Sequence, residues 1–345
     1  MSQFHQLRIA SVKPLTADAV SITFEPTDEV KSKFTFLAGQ YISLKAEING
    51  ETVIRDYSIC SCPSSGALSV GIKTLKGGLF SSYAQTLKPG DTLLARVPQG
   101  KFTLDSNIEN FVGIAAGSGI TPMMSLLQDF LEHSAGTAYL MYGNKSPEDS
   151  MFLKALKTLK KTYRDRFQLR WMFSRQEMPE AGFGRINGDQ LVDFLKEHAI
   201  HVGHGHFYLC GPNDMVQDLR AKLSEIGHAD SNVRYELFFA PPTGEALHPT
   251  SKGQCQVSMV LDGESVVFEM TNNQFVLDAA LDQDLDAPYS CRGGVCSSCI
   301  AKVTEGSVEM AQNNVLTDAD LSSGYILTCQ ARPTSSSLSV DFDDV

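Results

Sequence analysis

The chain has 345 residues, of which 42% are hydrophobic and 20% are charged, and its formal net charge is −11. This length exceeds one ordinary hydrophobic core and predicts two or three domains, while the composition argues against extensive disorder. The negative charge disfavours nucleic acid and anionic membranes as partners, and no apolar run approaches the length of a membrane span.

The N-terminal part predicts a small antiparallel β-barrel over residues 1–105. Its short β-rich runs are separated by Gly, Pro and Asp turns, a texture that is typical of such barrels. The predicted strands are Leu7–Val12, Val20–Phe24, Tyr41–Ala46, Ser69–Thr74 and Thr92–Val97.

Two motifs in this barrel carry groups that suit a flavin. Arg55-Asp-Tyr57-Ser58 ends a further strand, and Gly77-Gly78 precedes a helical stretch that contains Ser81. An arginine can bind a pyrophosphate in a fork, an aromatic ring can stack on a flat cofactor, and hydroxyls can bond ring nitrogens. The same residues also fit an ordinary exposed barrel strand, so chemistry alone leaves both interpretations open.

Residues 106–239 predict an α/β domain with a parallel sheet, because apolar strands alternate with helical patterns there. The predicted strands are Phe111–Ala115, Ala138–Tyr142, Leu169–Phe173 and Phe207–Leu209. The predicted helices are Pro122–His133, Phe152–Tyr163, Gly188–His198 and Asn213–Ile226.

A glycine-containing turn lies between the first strand and the first helix of this domain, at Gly117-Ser-Gly119-Ile-Thr121-Pro122. Such a turn presents free backbone amides to a pyrophosphate, and we expect Thr121 to cap the helix with Pro122 as its first residue. The full G-x-G-x-x-G pattern is absent, so a plain tight turn is the alternative.

Residues 240–252 are predicted to form a linker, because three prolines interrupt a stretch that has neither helical nor strand periodicity. Residues 253–345 then predict a smaller module that begins with a hairpin around Asp262-Gly263. This module carries fourteen acidic residues against three basic ones, whereas the rest of the chain is neutral. An acidic surface of this kind suits docking of a partner with a basic patch, although simple solubility is an equal alternative.

Four cysteines of the C-terminal module predict a [2Fe-2S] cluster. Cys291, Cys296 and Cys299 have the C-x4-C-x2-C spacing of plant-type ferredoxins, and Cys329 follows as the fourth ligand. A dithiol redox pair and a structural zinc site are the alternatives. Zinc sites usually combine two short knuckles, whereas three of the ligands here lie in one loop, so the spacing favours the cluster.

The remaining cysteines are too few for a disulfide framework and are interpreted as free thiols, at Cys60, Cys62, Cys210 and Cys255. The N-terminus shows no charged segment followed by an apolar one. Together these features predict a cytoplasmic protein.

Taken in chain order, the motifs resemble those of the ferredoxin–NADP reductase family with a C-terminal [2Fe-2S] domain. Within that family the chain most resembles reductases of the phenylacetyl-CoA epoxidase type, because the ferredoxin module comes last. The resemblance covers the whole chain and is carried by Arg55-Asp-Tyr57-Ser58, Gly77-Gly78 with Ser81, Gly117-Ser-Gly119-Ile-Thr121-Pro122, Cys210-Gly211-Pro212 and Glu236-x-Phe238.

The resemblance implies a FAD-binding barrel, a NAD(P)-binding α/β domain and a β-grasp ferredoxin domain. The residues that it places at the flavin are Arg55, Tyr57 and Ser58, with Gly77, Gly78 and Ser81 at the pyrophosphate. The residues that it places at the nucleotide are Gly117, Gly119, Thr121, Pro122, Gly211 and Pro212. The residues that it places at the hydride-transfer point are Ser58, Cys210, Glu236 and Phe238.

The resemblance also indicates how the nucleotide is selected. Ser174, Arg175 and Arg185 lie where this family places groups that receive the 2′-phosphate of NADPH, and the arginine fork suits that phosphate. NADPH is therefore favoured over NADH, although an arginine at a strand end can also be simply solvated.

The implied function is electron transfer from NAD(P)H through FAD and the cluster to a separate oxygenase. The alternatives are a reductase for another acceptor, such as a hybrid-cluster protein, a desaturase or a steroid hydroxylase, and a redox sensor without turnover. Neither a nucleic acid nor a membrane is expected as a partner.

Overall fold

The computed structural model describes residues 4–106, 108–201, 203–238, 253–285, 287–289, 292–294 and 297–345. The predicted linker 240–252 and the predicted ligands Cys291 and Cys296 lie outside the described residues. The chain divides into two compact units, and the boundary between them follows Glu236. Each of the three main sheets draws its strands from one predicted domain, whereas the exact domain boundaries stay predictions.

The first sheet is antiparallel, with the strand order β4-β3-β6-β1-β2-β5. An additional bridge between Ile59 and Val70 joins its two outer strands, so the sheet closes on itself as the predicted barrel. Its strands are β1 (His5–Thr16), β2 (Ala19–Glu25), β3 (Tyr41–Ile48), β4 (Glu51–Ser58), β5 (Leu68–Lys73) and β6 (Thr92–Ala95).

Alternation of side chains along these strands fills the barrel with aliphatic and aromatic residues, because successive residues of a strand point to opposite faces. Leu7, Ile22, Leu44 and Val70 are among the fully buried members of this core. The helices of this part are the single-turn α1 (Asp28–Lys31) and α2 (Leu79–Ala84). Helix α2 confirms the helical stretch that was predicted after Gly77-Gly78.

The second sheet has the strand order β10-β9-β8-β7-β11-β12, and the pairings from β10 through β11 are parallel. Its strands are β7 (Asn110–Ala116), β8 (Thr137–Asn144), β9 (Phe167–Phe173), β10 (Gly182–Phe183), β11 (His206–Gly211) and β12 (Val233–Leu237). Its helices are α3 (Ile120–His133), α4 (Leu153–Thr162), α5 (Gly188–Glu197) and α6 (Asn213–Glu225). The four predicted strands and four predicted helices are confirmed within two residues, whereas β10 and β12 had no predicted counterpart.

The prediction that Thr121 caps helix α3 is wrong. A 3-10 turn over Gly117–Gly119 starts the helical winding early, so Thr121 already lies inside the helix. Its hydroxyl donates back to the Ser118 carbonyl at 3.0 Å instead of accepting from an amide. No described side chain caps this helix, and its first amide, that of Ile120, donates to the carbonyls of Gly117 and Ser118 within the turn.

The third sheet has the strand order β14-β13-β19-β15-β17, and a small pair of β16 and β18 accompanies it. The strands are β13 (Gln254–Leu261), β14 (Glu264–Thr271), β15 (Ile300–Glu305), β16 (Val308–Met310), β17 (Tyr325–Leu327), β18 (Ala331–Pro333) and β19 (Ser337–Asp341). The helices are α7 (Val276–Leu281) and α8 (Asp318–Ser322).

The predicted hairpin at the start of this module is confirmed. Asp262 and Gly263 connect β13 to β14, and both have positive φ angles, of 57° and 77°. Two consecutive left-handed residues make the turn that matches the twist of a tight hairpin. In the part of the chain that the structure describes, no helix is long and apolar enough to cross a membrane.

Candidate functional site

A hydroxyl of the barrel and a carboxyl of the second sheet meet in one hydrogen bond. Ser58, the last residue of β4, donates from Oγ to Oε2 of Glu236 at 3.3 Å. Burial raises the pKa of the Glu236 carboxyl to about 8, and the negative charge of Asp56 adds to this, whereas the bond from Ser58 acts in the opposite direction. A carboxyl with this pKa can exchange a proton near neutral pH.

Cys210 lies beside this pair, near the carboxyl end of β11. Its thiol is fully buried, and its pKa is raised well above the usual range, first by burial and then by the charge of Glu236. The thiol is therefore neutral at physiological pH and can pack against a planar ligand without introducing charge. The structure thus brings together three of the four predicted hydride-transfer residues, Ser58, Cys210 and Glu236, while the fourth, Phe238, is half-buried directly after β12.

We expect the stability difference between the native protein and a Glu236→Gln variant to depend on pH. The folded chain keeps the Glu236 proton up to a pH of about 8, whereas an unfolded carboxyl loses it near its ordinary pKa of 4.5. Between these values folding requires proton uptake, so the native protein loses stability relative to the variant as pH rises. The difference in free energy of unfolding between the two proteins should change with pH by at most about 1.4 kcal/mol per pH unit. Thermal unfolding midpoints of both proteins between about pH 5 and pH 9 measure this change.

The exposed residue Glu25, in β2, provides the control for this experiment. A Glu25→Gln change is expected to alter stability by less than about 0.5 kcal/mol throughout this range. If the Glu236→Gln effect on the unfolding midpoint has the same size at about pH 5 and about pH 8, the raised pKa is contradicted.

The glycine turn of the second sheet approaches β11 closely. A Cβ atom on Gly119 would lie only 2.1 Å from the backbone carbonyl oxygen of Cys210. At Gly211 a Cβ would approach Met215 Cε within 2.6 Å. Only glycine at position 119 lets the turn contact the end of β11 at Cys210. Gly211 and Pro212 follow Cys210 directly in the chain.

The same turn leaves room for a ligand. Gly117 has a φ of +56°, and apart from its chain neighbours no atom of the described residues lies within 4 Å of the position that its Cβ would take. The fully buried Tyr142 holds the turn by donating from its hydroxyl to the Gly117 carbonyl at 2.9 Å. Open space and the start of a fourteen-residue helix, with Pro122 as its third residue, together suit a pyrophosphate.

The barrel supplies a second cradle, at the start of α2. Ser81 Oγ accepts from the Leu75 amide at 3.0 Å and donates to the Gly78 carbonyl at 3.3 Å, so this side chain shapes the loop itself. Gly77 has a φ of +78° and open space around the position of a Cβ. Leu75 and Leu79 flank the loop with 46% and 41% of their surface exposed. Exposed leucines around an open glycine fit a site that a large, partly apolar cofactor covers.

Arg55 and Tyr57 lie on β4, directly before Ser58. The Arg55 side chain is exposed and donates to the Ile54 carbonyl at 2.7 Å, while Tyr57 is half-buried with its ring 5.4 Å from that of Phe80. Burial raises the pKa of the Tyr57 hydroxyl, so it stays protonated. An exposed guanidinium and a fixed aromatic ring next to Ser58 fit the phosphates and the ring of a flavin.

Three cations lie at the carboxyl ends of adjacent parallel strands. Arg175 follows β9, Arg185 follows β10, and Lys145, which sequence reasoning missed, follows β8. All three side chains are exposed, and the Arg175 amide donates to the Lys145 carbonyl at 3.0 Å. The Ser174 amide likewise donates to the Asn144 carbonyl at 2.9 Å. Lys145 would have been found from the rule that ligands bind beyond the carboxyl ends of such strands.

The C-terminal module brings two predicted cluster ligands together. Cys299 and Cys329 are both buried, and the amide of Thr328 donates to the Cys299 carbonyl at 3.0 Å. Buried cysteine sulfurs are the donors that an iron–sulfur cluster requires. The described part of the ligand set therefore fits the group.

Gln330, which sequence reasoning also missed, ties the ligand loop to Cys329. Its Nε2 donates to the Arg292 carbonyl at 2.9 Å and lies 3.8 Å from the Cys329 sulfur. Arg292 and Gly294 have φ angles of 52° and 70°, and a Cβ on Gly294 would lie 3.0 Å from the Gln312 carbonyl oxygen. Such tight left-handed geometry lets a loop curve around an inorganic core.

Family models match most of the chain in three successive pieces. Residues 6–104 match the oxidoreductase FAD-binding domain, and residues 114–221 match the oxidoreductase NAD-binding domain. Residues 259–334 match the 2Fe-2S iron–sulfur cluster binding domain.

Relatives match the chain over nearly its full length. It is 37% identical to one of the subunits of 1,2-phenylacetyl-CoA epoxidase from Escherichia coli (strain K12), over 99% of both chains. The chain belongs to the ferredoxin–NADP reductase family with a C-terminal [2Fe-2S] domain. The reductase is also 32% identical to the ferredoxin reductase component of 3-ketosteroid-9-alpha-monooxygenase from Rhodococcus rhodochrous, over 97% of this chain and 96% of that one.

Solved structures have the same fold as this reductase. Phthalate dioxygenase reductase aligns over 98% of both chains with a TM-score of 0.62 and 24% identity. An intact type IV self-sufficient cytochrome P450 monooxygenase aligns over 98% of this chain and 41% of its own, with a TM-score of 0.73 and 23% identity. The reductase is thus an oxidoreductase with FAD-binding, NAD-binding and [2Fe-2S] domains, which acts as an electron-transfer component.

Proposed function

We propose that this reductase takes electrons from NADPH and delivers them to a separate oxygenase of the phenylacetyl-CoA epoxidase type. The observation that carries the proposal is the 37% identity, over 99% of both chains, to a component of that epoxidase. A steroid 9α-monooxygenase is the second candidate acceptor, because the ferredoxin reductase component of such an enzyme is 32% identical. We further propose that the protein works in the cytoplasm, in accord with the free thiols of Cys60, Cys62, Cys210 and Cys255 in the described part of the chain.

The residues of the flavin site act through position and proton affinity. When bound, FAD would supply the chemistry that accepts two electrons together as a hydride and releases them one at a time. Ser58 and Cys210 would orient the flavin and nicotinamide rings against each other. Glu236 holds a proton on its carboxyl group, next to the Ser58 hydroxyl that donates to its Oε2. For Phe238, the family resemblance alone supports a role beside the flavin.

The rest of the cofactor site binds phosphates. Arg55 and Tyr57 hold the flavin, while the loop of Gly77 and Gly78, which Ser81 shapes, receives the FAD pyrophosphate. The turn over Gly117–Gly119, the start of α3 and the following Gly211-Pro212 segment receive the pyrophosphate of the nucleotide.

The choice of NADPH over NADH rests on the three exposed cations Lys145, Arg175 and Arg185. Adjacent parallel strands place all of them at one edge of the sheet, which is the edge where nucleotides bind in such folds. A 2′-phosphate adds about two negative charges that this group of cations attracts. Ser174 adds a hydroxyl at the same strand end.

An Arg175→Ala change is expected to raise the Michaelis constant for NADPH about tenfold or more while changing that for NADH less than about twofold, because only NADPH carries the phosphate. Steady-state rates of flavin reduction, measured with each nucleotide in turn, give the two Michaelis constants. The control is Arg164→Ala, an exposed arginine that precedes β9 at the opposite edge of the sheet. Equal changes for both nucleotides would remove the phosphate assignment.

We propose that the acceptor docks on the acidic C-terminal module through a basic patch. In the described part of this module, Arg292 pairs with Asp278 at 2.8 Å and Lys302 pairs with Asp344 at 2.6 Å. The fourteen acidic residues of this module exceed its three basic ones by eleven charges, which these ion pairs cannot neutralise, and such an excess steers a cationic partner.

The proposed function is tested with the purified holoprotein and the oxygenase components of the epoxidase. NADPH is expected to bleach the flavin and cluster absorbance without air, and addition of the oxygenase with an acyl-CoA substrate is expected to yield epoxide. Rapid cytochrome c reduction without epoxide would redirect the assignment to another acceptor, such as a steroid hydroxylase, a hybrid-cluster protein or a desaturase. Cofactor reduction that scarcely turns over would favour a redox sensor.

A further inference from the structure

Asp105 binds three side chains of the second sheet from the segment that connects β6 to β7. Its Oδ1 accepts from Nη2 and Nε of Arg234, at 2.7 and 3.2 Å. Its Oδ2 lies 3.4 Å from Nδ1 of His206, and its backbone amide donates to the Tyr208 hydroxyl at 3.0 Å. This segment joins the last strand of the barrel to the first strand of the second sheet, so Asp105 attaches the connection to β11 and β12.

The attachment combines a partly exposed ion pair with a buried aromatic support. Burial alone would raise the pKa of Asp105, but the hydrogen bonds and positive charge of Arg234 outweigh it and lower the pKa. The Tyr208 ring is fully buried, stacks on Phe111 at 4.9 Å and meets the edge of Phe102 at 5.9 Å. The carboxylate is therefore ionised and held against a fixed aromatic support.

The partners of Asp105 share a strand face with the proposed reactive residues. Alternate residues of a strand point to the same face, so His206, Tyr208 and Cys210 lie on one face of β11. On β12, Arg234 and Glu236 share a face by the same rule. The two strands are neighbours in the sheet, and the charge of Glu236 acts on the Cys210 thiol.

We propose that Asp105 is a positioning residue for hydride transfer, which fixes β11 and β12 so that Cys210 and Glu236 are held in register with Ser58 of the barrel. This inference rests on the proposed roles of Cys210, Glu236 and Ser58. The Arg234 contact is the main attachment, because two of its N–H groups meet the carboxylate two residues before Glu236.

Loss of this attachment is expected to slow the reaction without weakening nucleotide binding. In the holoprotein, Asp105→Ala should lower the rate of flavin bleaching at saturating NADPH about ten- to a hundredfold, since small displacements of reacting groups cost this much. The Michaelis constant for NADPH should stay within about twofold, because the glycine turn and the cations near Arg175 are untouched. Stopped-flow absorbance measures both quantities.

A second readout does not depend on activity. In the native protein Cys210 and Cys60 are both buried and should resist iodoacetamide. In Asp105→Ala, mass spectrometry is expected to show alkylation of Cys210 at least about tenfold faster. Cys60, in the barrel, should remain unlabelled, which distinguishes a local opening from general unfolding.

Two further variants control this experiment. Arg234→Gln removes the other partner, and the double variant with Asp105→Ala should be no slower than either single variant, as expected for one shared interaction. Glu197→Gln breaks a different ion pair of the same domain, between Arg170 on β9 and the end of α5, on a strand that is not adjacent to β11. Its bleaching rate should match that of the native protein.

The outcomes separate the inference from the proposed function. If the native protein is not reduced by NADPH, the proposed function fails. The positioning role of Asp105 is overturned by a different result, in which NADPH reduces the native protein and neither Asp105→Ala nor Arg234→Gln differs from Glu197→Gln. The comparison covers both the rate of flavin bleaching and the labelling of Cys210. If Asp105→Ala does not fold, Arg234→Gln alone decides between the same two results.

Discussion

Replacement of Cys329 by serine is expected to abolish one-electron output while leaving reduction of the flavin by NADPH intact. A serine hydroxyl is a poor substitute for a thiolate at iron, because these clusters require soft ligands. We expect loss of acid-labile sulfide and a fall in cytochrome c reduction of about a hundredfold or more. Two-electron reduction of the flavin should remain within about twofold, because Ser58, Cys210 and Glu236 lie in a separate compact unit of the chain.

Cys255 offers a matched control for this change. It is fully buried in the same hydrophobic core as Cys329, on β13, so Cys255→Ser exchanges the same atoms in a similar environment. The control should lose some stability but keep its iron, its sulfide and its cytochrome c activity. Equal cytochrome c rates in the Cys329→Ser variant and the native protein would contradict the route through the cluster.

Replacement of Gly119 by alanine is expected to have the second large effect, on hydride transfer itself. The new Cβ would lie 2.1 Å from the Cys210 carbonyl oxygen and 2.5 Å from its carbonyl carbon, so the turn and β11 must separate by more than about 1 Å. A displacement of this size at reacting groups costs about a hundredfold in rate. Flavin bleaching at saturating NADPH measures the loss, and bound FAD should remain near its native content.

Gly136 provides a control with a clash of the same kind. Its Cβ would lie 2.2 Å from the Glu109 carbonyl oxygen, near the amino ends of β7 and β8 and thus at the opposite edge of the sheet. Both alanine variants should lose about 1–3 kcal/mol of stability, and only Gly119→Ala should lose hydride transfer. A comparable loss of rate in both variants would show that the effect of Gly119 is one of general stability.

Much of the fold was predictable because its signals are local. Strand and helix periodicity in the second sheet located four strands and four helices within two residues of their observed bounds. The Asp262-Gly263 turn was predictable because only a few residue types tolerate two successive positive φ angles. The cap on α3 was wrongly predicted, since the amide geometry of a 3-10 turn depends on how Gly119 packs against Cys210.

The candidate site was predictable only in part. Cysteine spacing identifies a cluster because its ligands must converge on one small inorganic core, and a glycine turn between strand and helix indicates a phosphate site. Lys145 and Gln330 carry no motif of their own. Their relevance appears only when the sheet aligns the end of β8 with that of β9, and when Gln330 reaches the Arg292 carbonyl.

Residue types at short, fixed spacings, together with the family resemblance that they carry, were sufficient to indicate the order of the three modules and the cofactor types and to predict the four thiol ligands. The assembled fold was needed to show that Ser58 meets Glu236 across 178 residues of chain and that Asp105 binds Arg234 across 129. Long-range contacts of this kind follow from the packing of the barrel against a parallel sheet. No local pattern encodes them, because any hydroxyl, carboxylate or arginine at a strand end would look the same before the strands are assembled.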